Sequence, residues 1–281
     1  MDSSRKGKEH ARQHHDPGQR SDGSRWRADG PDHNLCHAGR SSRLSRCLDW
    51  RFVGPRSTYS GFASGVDGGP AVTSKVELGI SVLQLPLRNP VELAHRVQSL
   101  QAMSKNRLIL GVGSGSTRDD FELLGYDYDH RFRTFRNDLE IMNKVWTGEP
   151  VNGGRLAVWP GCEGGPPILI GAWRSPRWIT YAAKQAQGWT PSGRYSSLED
   201  LEAGMKIYRE QGGTNAVLAN CSVDLQQHPE SAELAKLASV NFICPPDEAR
   251  RRINRVKEMG FDEILIGSQF GAIEEIERIR V

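Results

Sequence analysis

The sequence lacks any long apolar run and any regular arrangement of cysteines. No segment of its 281 residues approaches the roughly 18 apolar residues of a membrane-spanning helix, which excludes a membrane protein built on one. The five cysteines are odd in number and scattered, so they form neither a C-x-x-C motif nor a disulfide framework. The polar start, MDSSRKGKEHARQHH, does not resemble a signal peptide. We therefore expect a cytoplasmic protein with reduced thiols.

Residues 1–70 lack isoleucine altogether. They contain ten Gly, ten Ser, ten Arg and five of the eight His, and no hydrophobic periodicity extends beyond a few positions. Because so little apolar surface cannot offset backbone entropy, the composition predicts a disordered leader. From Ala71 onward strand-like and helix-like segments alternate. We divide the chain into a leader, 1–70, and a folded domain, 71–281.

The leader allows other interpretations. Its basic residues are interleaved with Asp, and the whole chain carries a formal charge of only +3, so we expect no nucleic-acid partner. His10, His14 and His15 have no Cys or carboxylate at a fixed spacing, so we expect no metal. The composition is also what a GC-rich gene yields when it is read out of frame. An ordinary βα sequence encoded in frame immediately upstream of Ala71 would support this hypothesis, and its absence would exclude it.

Residues 71–281 alternate short apolar strands with amphipathic helices. Asn89, Pro90 and Glu92 are typical of an N-cap, a first helical position and a reciprocal capping position. The alternation predicts a parallel sheet covered by helices, either doubly wound or closed into a (β/α) barrel. Predicted strands cover 75–83, 107–113, 167–171, 188–191, 215–223 and 261–267, and predicted helices follow Asn89, span 129–146, and begin at 175–176 and 246–247.

Two strand ends carry the chemistry, because ligands bind at the carboxyl ends of parallel strands. At the first, Gly113, Ser114, Gly115 and Ser116 allow close backbone approach, and their amides can form an anion-binding concavity. The alternative is a plain tight turn. No third glycine follows at the spacing of a dinucleotide fingerprint, so that motif is weak.

The second strand end runs through Gly171, Ala172, Trp173, Arg174 and Ser175 into a new helix. Exposed amides and the positive end of the helix dipole favour a phosphate there, and the guanidinium adds positive charge. The alternative is ordinary N-capping by the serine, with the arginine solvated.

Histidines and carboxylates give little. His95, His130 and His228 belong to no Ser/His/Asp set and no H-E-x-x-H motif, so hydrolase and metalloprotease functions lack support. Trp173, Trp178 and Trp189 surround the expected pocket, where they could stack on a planar ring or pack in the core.

The order of motifs over residues 71–192 resembles the luciferase-like monooxygenase family. The similarity is carried by Val76-Glu77-Leu78-Gly79-Ile80-Ser81-Val82, Arg88-Asn89-Pro90, Asn106-Arg107-Leu108-Ile109-Leu110-Gly111, Asp119-Asp120-Phe121-Glu122, Arg131, Val145-Trp146-Thr147-Gly148, Pro166-Pro167-Ile168-Leu169-Ile170-Gly171 and Gln187-Gly188-Trp189.

This resemblance implies a (β/α)8 TIM-type barrel that binds FMN or coenzyme F420. It implies a non-prolyl cis peptide at Ser81-Val82 that supports the cofactor ring, and it implies that 113–116 and 171–175 bind the ribityl-phosphate part. Many members of the family are dimers, so a homodimer is an expectation.

The chain also departs from the family pattern. Asn137 and Gln187 replace a common Glu and a common Asp, and nothing in 1–70 resembles the first two βα units. We therefore expect an incomplete barrel, and the catalytic residue stays unassigned. The function implied is a flavin- or F420-dependent oxidoreductase that transfers hydride between cofactor and a small organic substrate. The alternative is an inactive or truncated cofactor-binding relative without turnover.

Overall fold

The structure is a computed structural model that describes residues 46–49, 74–75, 77–268, 276, 278 and 279. Within these ranges, no helix is both long enough and apolar enough to cross a membrane. Seven strands and seven α-helices are described. The strands are β1 Arg46–Asp49, β2 Glu77–Gln84, β3 Leu108–Gly113, β4 Ile168–Ile170, β5 Gly188–Trp189, β6 Val217–Val223 and β7 Glu263–Ser268. The helices are α1 Pro90–Met103, α2 Arg118–Leu124, α3 Arg131–Trp146, α4 Pro176–Gln185, α5 Leu198–Glu210, α6 Ala232–Leu237 and α7 Pro246–Glu258.

The strands pair in parallel and in the order of the chain. β1 to β5 form one sheet in consecutive order, and β6 pairs with β7. Parallel bridges from Trp189 to Ala216 and from Ser192 to Ala219 join the end of β5 to β6. A doubly wound sheet needs a point where strand order reverses, and the described strands contain none.

One strand lies inside the predicted leader. Arg46–Asp49 pairs in parallel with residues 77–80 of β2. At these four residues the chain forms a strand, because pairing with β2 supplies backbone hydrogen bonds that composition alone does not reveal, and the disordered leader as a whole stays a prediction. The rest of the prediction for 1–70 falls outside the described residues.

Helix α1 begins where the sequence predicts. The side chain of Asn89 accepts hydrogen bonds from the amides of Val91 and Glu92, at 3.0 and 3.1 Å. The reciprocal role predicted for Glu92 is wrong, because its carboxylate pairs with Arg96 one turn later. The sequence predicts an apolar face at positions 91, 94, 97, 100 and 103 of this helix, but Met103 is 57% exposed.

Helix α5 was not expected from the sequence, although its start carries a clear signal. Ser197 accepts from the amide of Asp200, and the carboxylate of Asp200 accepts from the amide of Ser197, both at 3.1 Å. This capping box precedes the buried side chains Leu201, Met205 and Tyr208, which recur at helical spacing. The helix packs beside α4 on the outside of the sheet.

The core lies between the sheet and the covering helices. Trp146 of α3 is fully buried and donates its indole N–H to the backbone oxygen of Ala94 in α1, at 3.1 Å. Trp189 of β5 is also fully buried and donates to the backbone oxygen of Ala172 at 2.8 Å. This second bond fixes the chain just after β4, where a predicted site segment begins.

Candidate functional site

A cavity of about 410 Å³ opens at the carboxyl ends of β2 to β6. Its volume lies in the range of small-molecule and cofactor sites. The structure brings all the sequence-predicted site residues to its wall. These are Ser81, Val82, Gly113, Ser114, Gly115, Ser116, Gly171, Ala172, Trp173, Arg174 and Ser175. Their role in binding a cofactor stays a prediction.

The floor of the cavity carries a cis peptide bond between Ser81 and Val82. This is the bond that the resemblance implies. The hydroxyl oxygens of Ser81 and Thr190 lie 3.3 Å apart, and both side chains are buried. The two hydroxyls tie the end of β2 to the segment after β5 across the base of the cavity.

Three of the predicted glycines make room for protein side chains. A Cβ on Gly171 would lie 3.0 Å from Cγ1 of Val82, and one on Gly113 would lie 3.1 Å from its Cγ2. Gly115 has φ +80°, and a Cβ there would lie 2.7 Å from the ring of Phe121. The sequence predicts that these glycines let a ligand approach the backbone. The structure adds a second cause, since these glycines leave space for the side chain of Val82 in the wall and for that of Phe121 behind it.

The segment after β4 forms a corner suited to an anion. Helix α4 starts at Pro176, and Ser175 in the N-cap position makes no side-chain capping hydrogen bond. The alternative of ordinary N-capping by this serine is therefore wrong. Ser175 and the exposed Arg174 line the cavity next to the positive end of the helix dipole.

A second guanidinium, that of Arg131 at the start of α3, also lines the wall. Its Nε donates to the backbone oxygen of Gly115 at 3.1 Å, and its Nη1 donates to that of Tyr128 at 2.9 Å. The group lies 3.8 Å from the ring centre of Tyr128 and 4.3 Å from that of Phe132. These contacts hold one positive charge rigidly beside the 113–116 loop. In the sequence, Arg131 stands out only as one of the residues that carry the family resemblance.

The residues on the wall suit an anionic ligand that also donates hydrogen bonds. Among the described lining residues, Arg131 and Arg174 carry charge and no carboxylate is present. Gln84 and Asn220 also line the cavity, and each keeps a buried carbonyl oxygen, Oε1 and Oδ1, without a hydrogen-bond partner. A ring with N–H donors and an attached phosphate meets both requirements, so the wall fits the flavin-like cofactors that the resemblance implies.

Gln84 is held by a buried carboxyl. Its Nε2 donates to Oδ2 of Asp120 at 3.1 Å. Burial raises the pKa of Asp120, and the hydrogen bond from Gln84 acts in the opposite direction. Asp120 is a positioning residue here, because it fixes the amide that faces the cavity.

Aromatic rings supply much of the remaining wall, and sequence reasoning missed most of them. Trp173 and Tyr195 stack with ring centres 4.8 Å apart, and Trp178 lies 4.9 Å from Phe135. Trp173 and Trp178 line the cavity as one of the two interpretations expected, whereas Trp189 belongs to the core behind it. The missed lining residues are Gln84, Tyr128, Phe132, Phe135, Thr190, Pro191, Ser192, Tyr195, Ala219 and Asn220. Thr190 and Pro191 are the last residues of a predicted strand and Ser192 directly follows it, and that position was the available signal.

His95, His130 and His228 do not line the cavity. His130 contacts Asp127 at 2.5 Å, and His228 contacts Asp224 at 2.9 Å. In the part of the chain that the structure describes, no three His, Cys, Asp or Glu side chains are grouped to hold a metal ion. The catalytic residue therefore stays unassigned.

Comparison with known proteins identifies the class. The sequence profile of the luciferase-like monooxygenases matches residues 70–233, more than half of the chain. The chain belongs to this family. The match covers every segment that forms the cavity wall, from β2 to β6.

Curated relatives include one F420-dependent enzyme. The chain is 31% identical over 151 residues to an uncharacterized protein of Mycobacterium tuberculosis, covering 51% of this chain and 52% of that protein. It is 30% identical over 112 residues to the F420-dependent glucose-6-phosphate dehydrogenase of Amycolatopsis mediterranei, covering 37% of this chain and 32% of that enzyme. The chain thus matches about half the length, or less, of these relatives.

A solved structure supports the fold. The oxygenating constituent of 3,6-diketocamphane monooxygenase from Pseudomonas putida, in complex with FMN, superposes with a TM-score of 0.55 at 17% identity. The superposition covers 72% of this chain and 76% of that one. The α/β fold is therefore shared with this structural neighbour, which is in complex with FMN, and the curated relative from Amycolatopsis mediterranei is F420-dependent.

Proposed function

We propose that this chain is a flavin- or F420-dependent oxidoreductase that transfers hydride between the cofactor ring and a small organic substrate. One observation carries the proposal: all the predicted site residues line a single cavity, and the floor of that cavity contains the cis peptide bond between Ser81 and Val82. We also propose that the consecutive parallel strands belong to a (β/α)8 barrel, with the early βα units reduced.

Each part of the wall has a separate task in this proposal. Ser81 and Val82 support the ring from below, and the unpartnered oxygens of Gln84 and Asn220 accept hydrogen bonds from its N–H groups. Arg174 and the start of α4 hold the phosphate. The cofactor, when bound, supplies a ring that accepts or gives up a hydride, and the aromatic side chains exclude water from it.

Reconstitution tests the proposal. The full chain is titrated with FMN and with F420, and cofactor fluorescence is followed at constant protein concentration. We expect saturable binding of at least one cofactor. Failure of both to bind, also in a chain with a complete upstream barrel sequence, would refute the proposed function.

Turnover is measured separately, since the alternative is a cofactor-binding relative without turnover. Reduced cofactor bound to the chain is mixed with candidate acceptors, and reoxidation is followed by absorbance. Binding without reoxidation by any acceptor or by oxygen would favour the inactive relative.

A further inference from the structure

Hydride transfer to a carbonyl substrate requires a proton donor in the cavity. A hydride that adds to a carbonyl carbon leaves negative charge on the oxygen, and a nearby acid must neutralise that charge. Among the described lining residues there is no histidine, lysine, cysteine or carboxylate. The strongest acids that remain are two phenols, Tyr128 and Tyr195, because aliphatic hydroxyls and guanidinium groups give up a proton far less readily.

Of the two phenols, Tyr128 is already committed to the protein. Its hydroxyl donates to the backbone oxygen of Ser116 at 3.1 Å, and the guanidinium of Arg131 lies 3.8 Å from its ring centre. The hydroxyl of Tyr195, in contrast, forms no hydrogen bond with any described residue. A phenol that lines a ligand cavity and has no protein partner can donate its hydrogen bond to a ligand.

The loop that carries Tyr195 is fastened to the sheet. The amide of Gly193 donates to the backbone oxygen of Ala219 in β6 at 2.7 Å, and the backbone oxygen of Gly193 accepts from the amide of Val240 at 2.8 Å. A Cβ at Gly193 would lie 2.7 Å from Sγ of Cys221, so the loop is seated closely on β6. Tyr195 is therefore held in one place, as proton transfer to a bound substrate requires.

The ring and the amide of Tyr195 are also fixed. The ring stacks on Trp173, with ring centres 4.8 Å apart and the planes inclined by 25°. The hydroxyl oxygen of Ser192 accepts from the amide of Tyr195 at 3.3 Å and from Nδ2 of Asn220 at 2.8 Å. Asn220 is the residue whose unpartnered Oδ1 accepts from the cofactor ring in the proposed function. Ser192 therefore links Tyr195 to the wall beside the proposed ring position.

We infer that Tyr195 is the catalytic proton donor and that the substrate is a carbonyl compound, a ketone or an aldehyde. This inference rests on the proposed function. The hydride of the reduced cofactor forms the new C–H bond at the carbonyl carbon, the π bond of the carbonyl breaks, and its oxygen takes the proton of the Tyr195 hydroxyl. The product is an alcohol, and the cofactor is left two electrons more oxidised. The phenolate regains a proton from water, since the side chain is 41% exposed.

The test is a binding cycle on the full chain loaded with whichever of FMN and F420 binds. Acetophenone and α-methylstyrene have nearly the same shape, but only acetophenone can accept a hydrogen bond. Isothermal titration calorimetry gives the ratio of their affinities. Tyr195→Phe keeps the ring and removes only the hydroxyl, so it should lower the preference for acetophenone about five- to tenfold. Tyr126→Phe, which removes an exposed phenol outside the cavity wall, is the matched control and should leave the ratio unchanged.

Turnover is the second measurement, with reduced cofactor and acetophenone as the hydride acceptor. Tyr195→Phe should lower kcat about 100-fold or more, and KM should rise by no more than the loss of affinity, because a general acid acts in the transition state. An affinity ratio or a kcat that Tyr195→Phe does not change would overturn the assignment of Tyr195. Acetophenone that the unmodified chain does not bind or does not reduce would overturn the carbonyl class. Both results leave the proposed function standing, whereas failure of both cofactors to bind would overturn the function and this inference together.

Discussion

At the scale of single residues, Arg174 is the exposed charge at the phosphate corner. Arg174→Gln should weaken binding of FMN or F420 about tenfold, because a charge-assisted hydrogen bond to phosphate is lost. The thermal midpoint of this variant without cofactor should equal that of the unmodified protein, since the side chain of Arg174 is exposed. Arg133→Gln, at an exposed position of α3 away from the cavity wall, is the matched control for charge. Equal loss of affinity in both variants would contradict the assignment.

A second prediction concerns the effect of Asp138 on the free energy of unfolding at different pH values. This residue of α3 is buried, its Oδ2 has no hydrogen-bond partner, and burial raises its pKa to about 6. In the unfolded chain, the pKa of this carboxyl is about 4, so the folded state binds the proton more tightly. The free-energy cost of burying Asp138 therefore grows as the pH rises from about 4 to 6. Asp138→Asn should therefore raise the free energy of unfolding by about 1–3 kcal/mol at pH 8.

The pH dependence distinguishes this cause from a simple change of packing. At pH 5 only about half of the gain should remain, because this pH lies midway between the unfolded and folded pKa values: the native carboxyl is protonated but that of the unfolded chain is ionised. Denaturant unfolding of the unmodified protein and of Asp138→Asn at pH 5 and pH 8 measures the gain in the free energy of unfolding at each pH. A gain of the same size at pH 5 and pH 8 would show that titration of Asp138 is not the cause.

The sequence predicts site residues well where they follow a strand of clear pattern. Glycine- and serine-rich strand ends identify 113–116 and 171–175 because ligands gather at that edge of a parallel sheet. Gln84 was not predicted because it is a lone polar residue at the end of the buried strand β2, and Asn220 was not predicted because it is a lone polar residue in the middle of β6, where its pairing with β7 is irregular. Phe132 and Phe135 were not predicted to line the site because their helical spacing is typical of core positions.

At the scale of secondary-structure elements, the capping box of α5 is the sharpest local feature. Ser197→Ala removes the bond to the amide of Asp200 and should lower the free energy of unfolding by about 1 kcal/mol. For a domain of this size, that is a loss of about 2–4 °C in the thermal midpoint. Ser99→Ala inside α1 is the control, because its hydroxyl bonds only the backbone oxygen of His95 at 3.3 Å. A midpoint unchanged by Ser197→Ala would contradict this account of the helix start.

Elements with strong end signals are predictable from the sequence, and elements held by distant partners are not. Asn89 and Pro90 locate α1, and Pro246 locates α7, because caps and prolines act within one turn. The strand Arg46–Asp49 depends on hydrogen bonds to β2, about 30 residues away in the sequence. No local pattern in the leader encodes that pairing.

At the scale of the whole molecule, cofactor binding should stabilise the fold. A ligand that binds only the folded state at 100 times its Kd adds about 2.7 kcal/mol. The thermal midpoint of the full chain should therefore rise by several degrees with saturating FMN or F420, as measured by differential scanning calorimetry. The Arg174→Gln variant should need about tenfold more cofactor for the same rise. A midpoint insensitive to both cofactors would contradict the proposed site.

The consecutive order of the parallel strands has a consequence for how the chain can be divided. Each described strand pairs with its predecessor in the sequence, so a single break separates only one strand pair, β3 with β4, if it falls between α3 and β4. Gly153, with φ +78° and open space at its Cβ position, lies in that connection. Fragments 1–153 and 154–281, produced together, should reassemble across that one pair, so the protein could serve as a split reporter whose signal is the restored cavity.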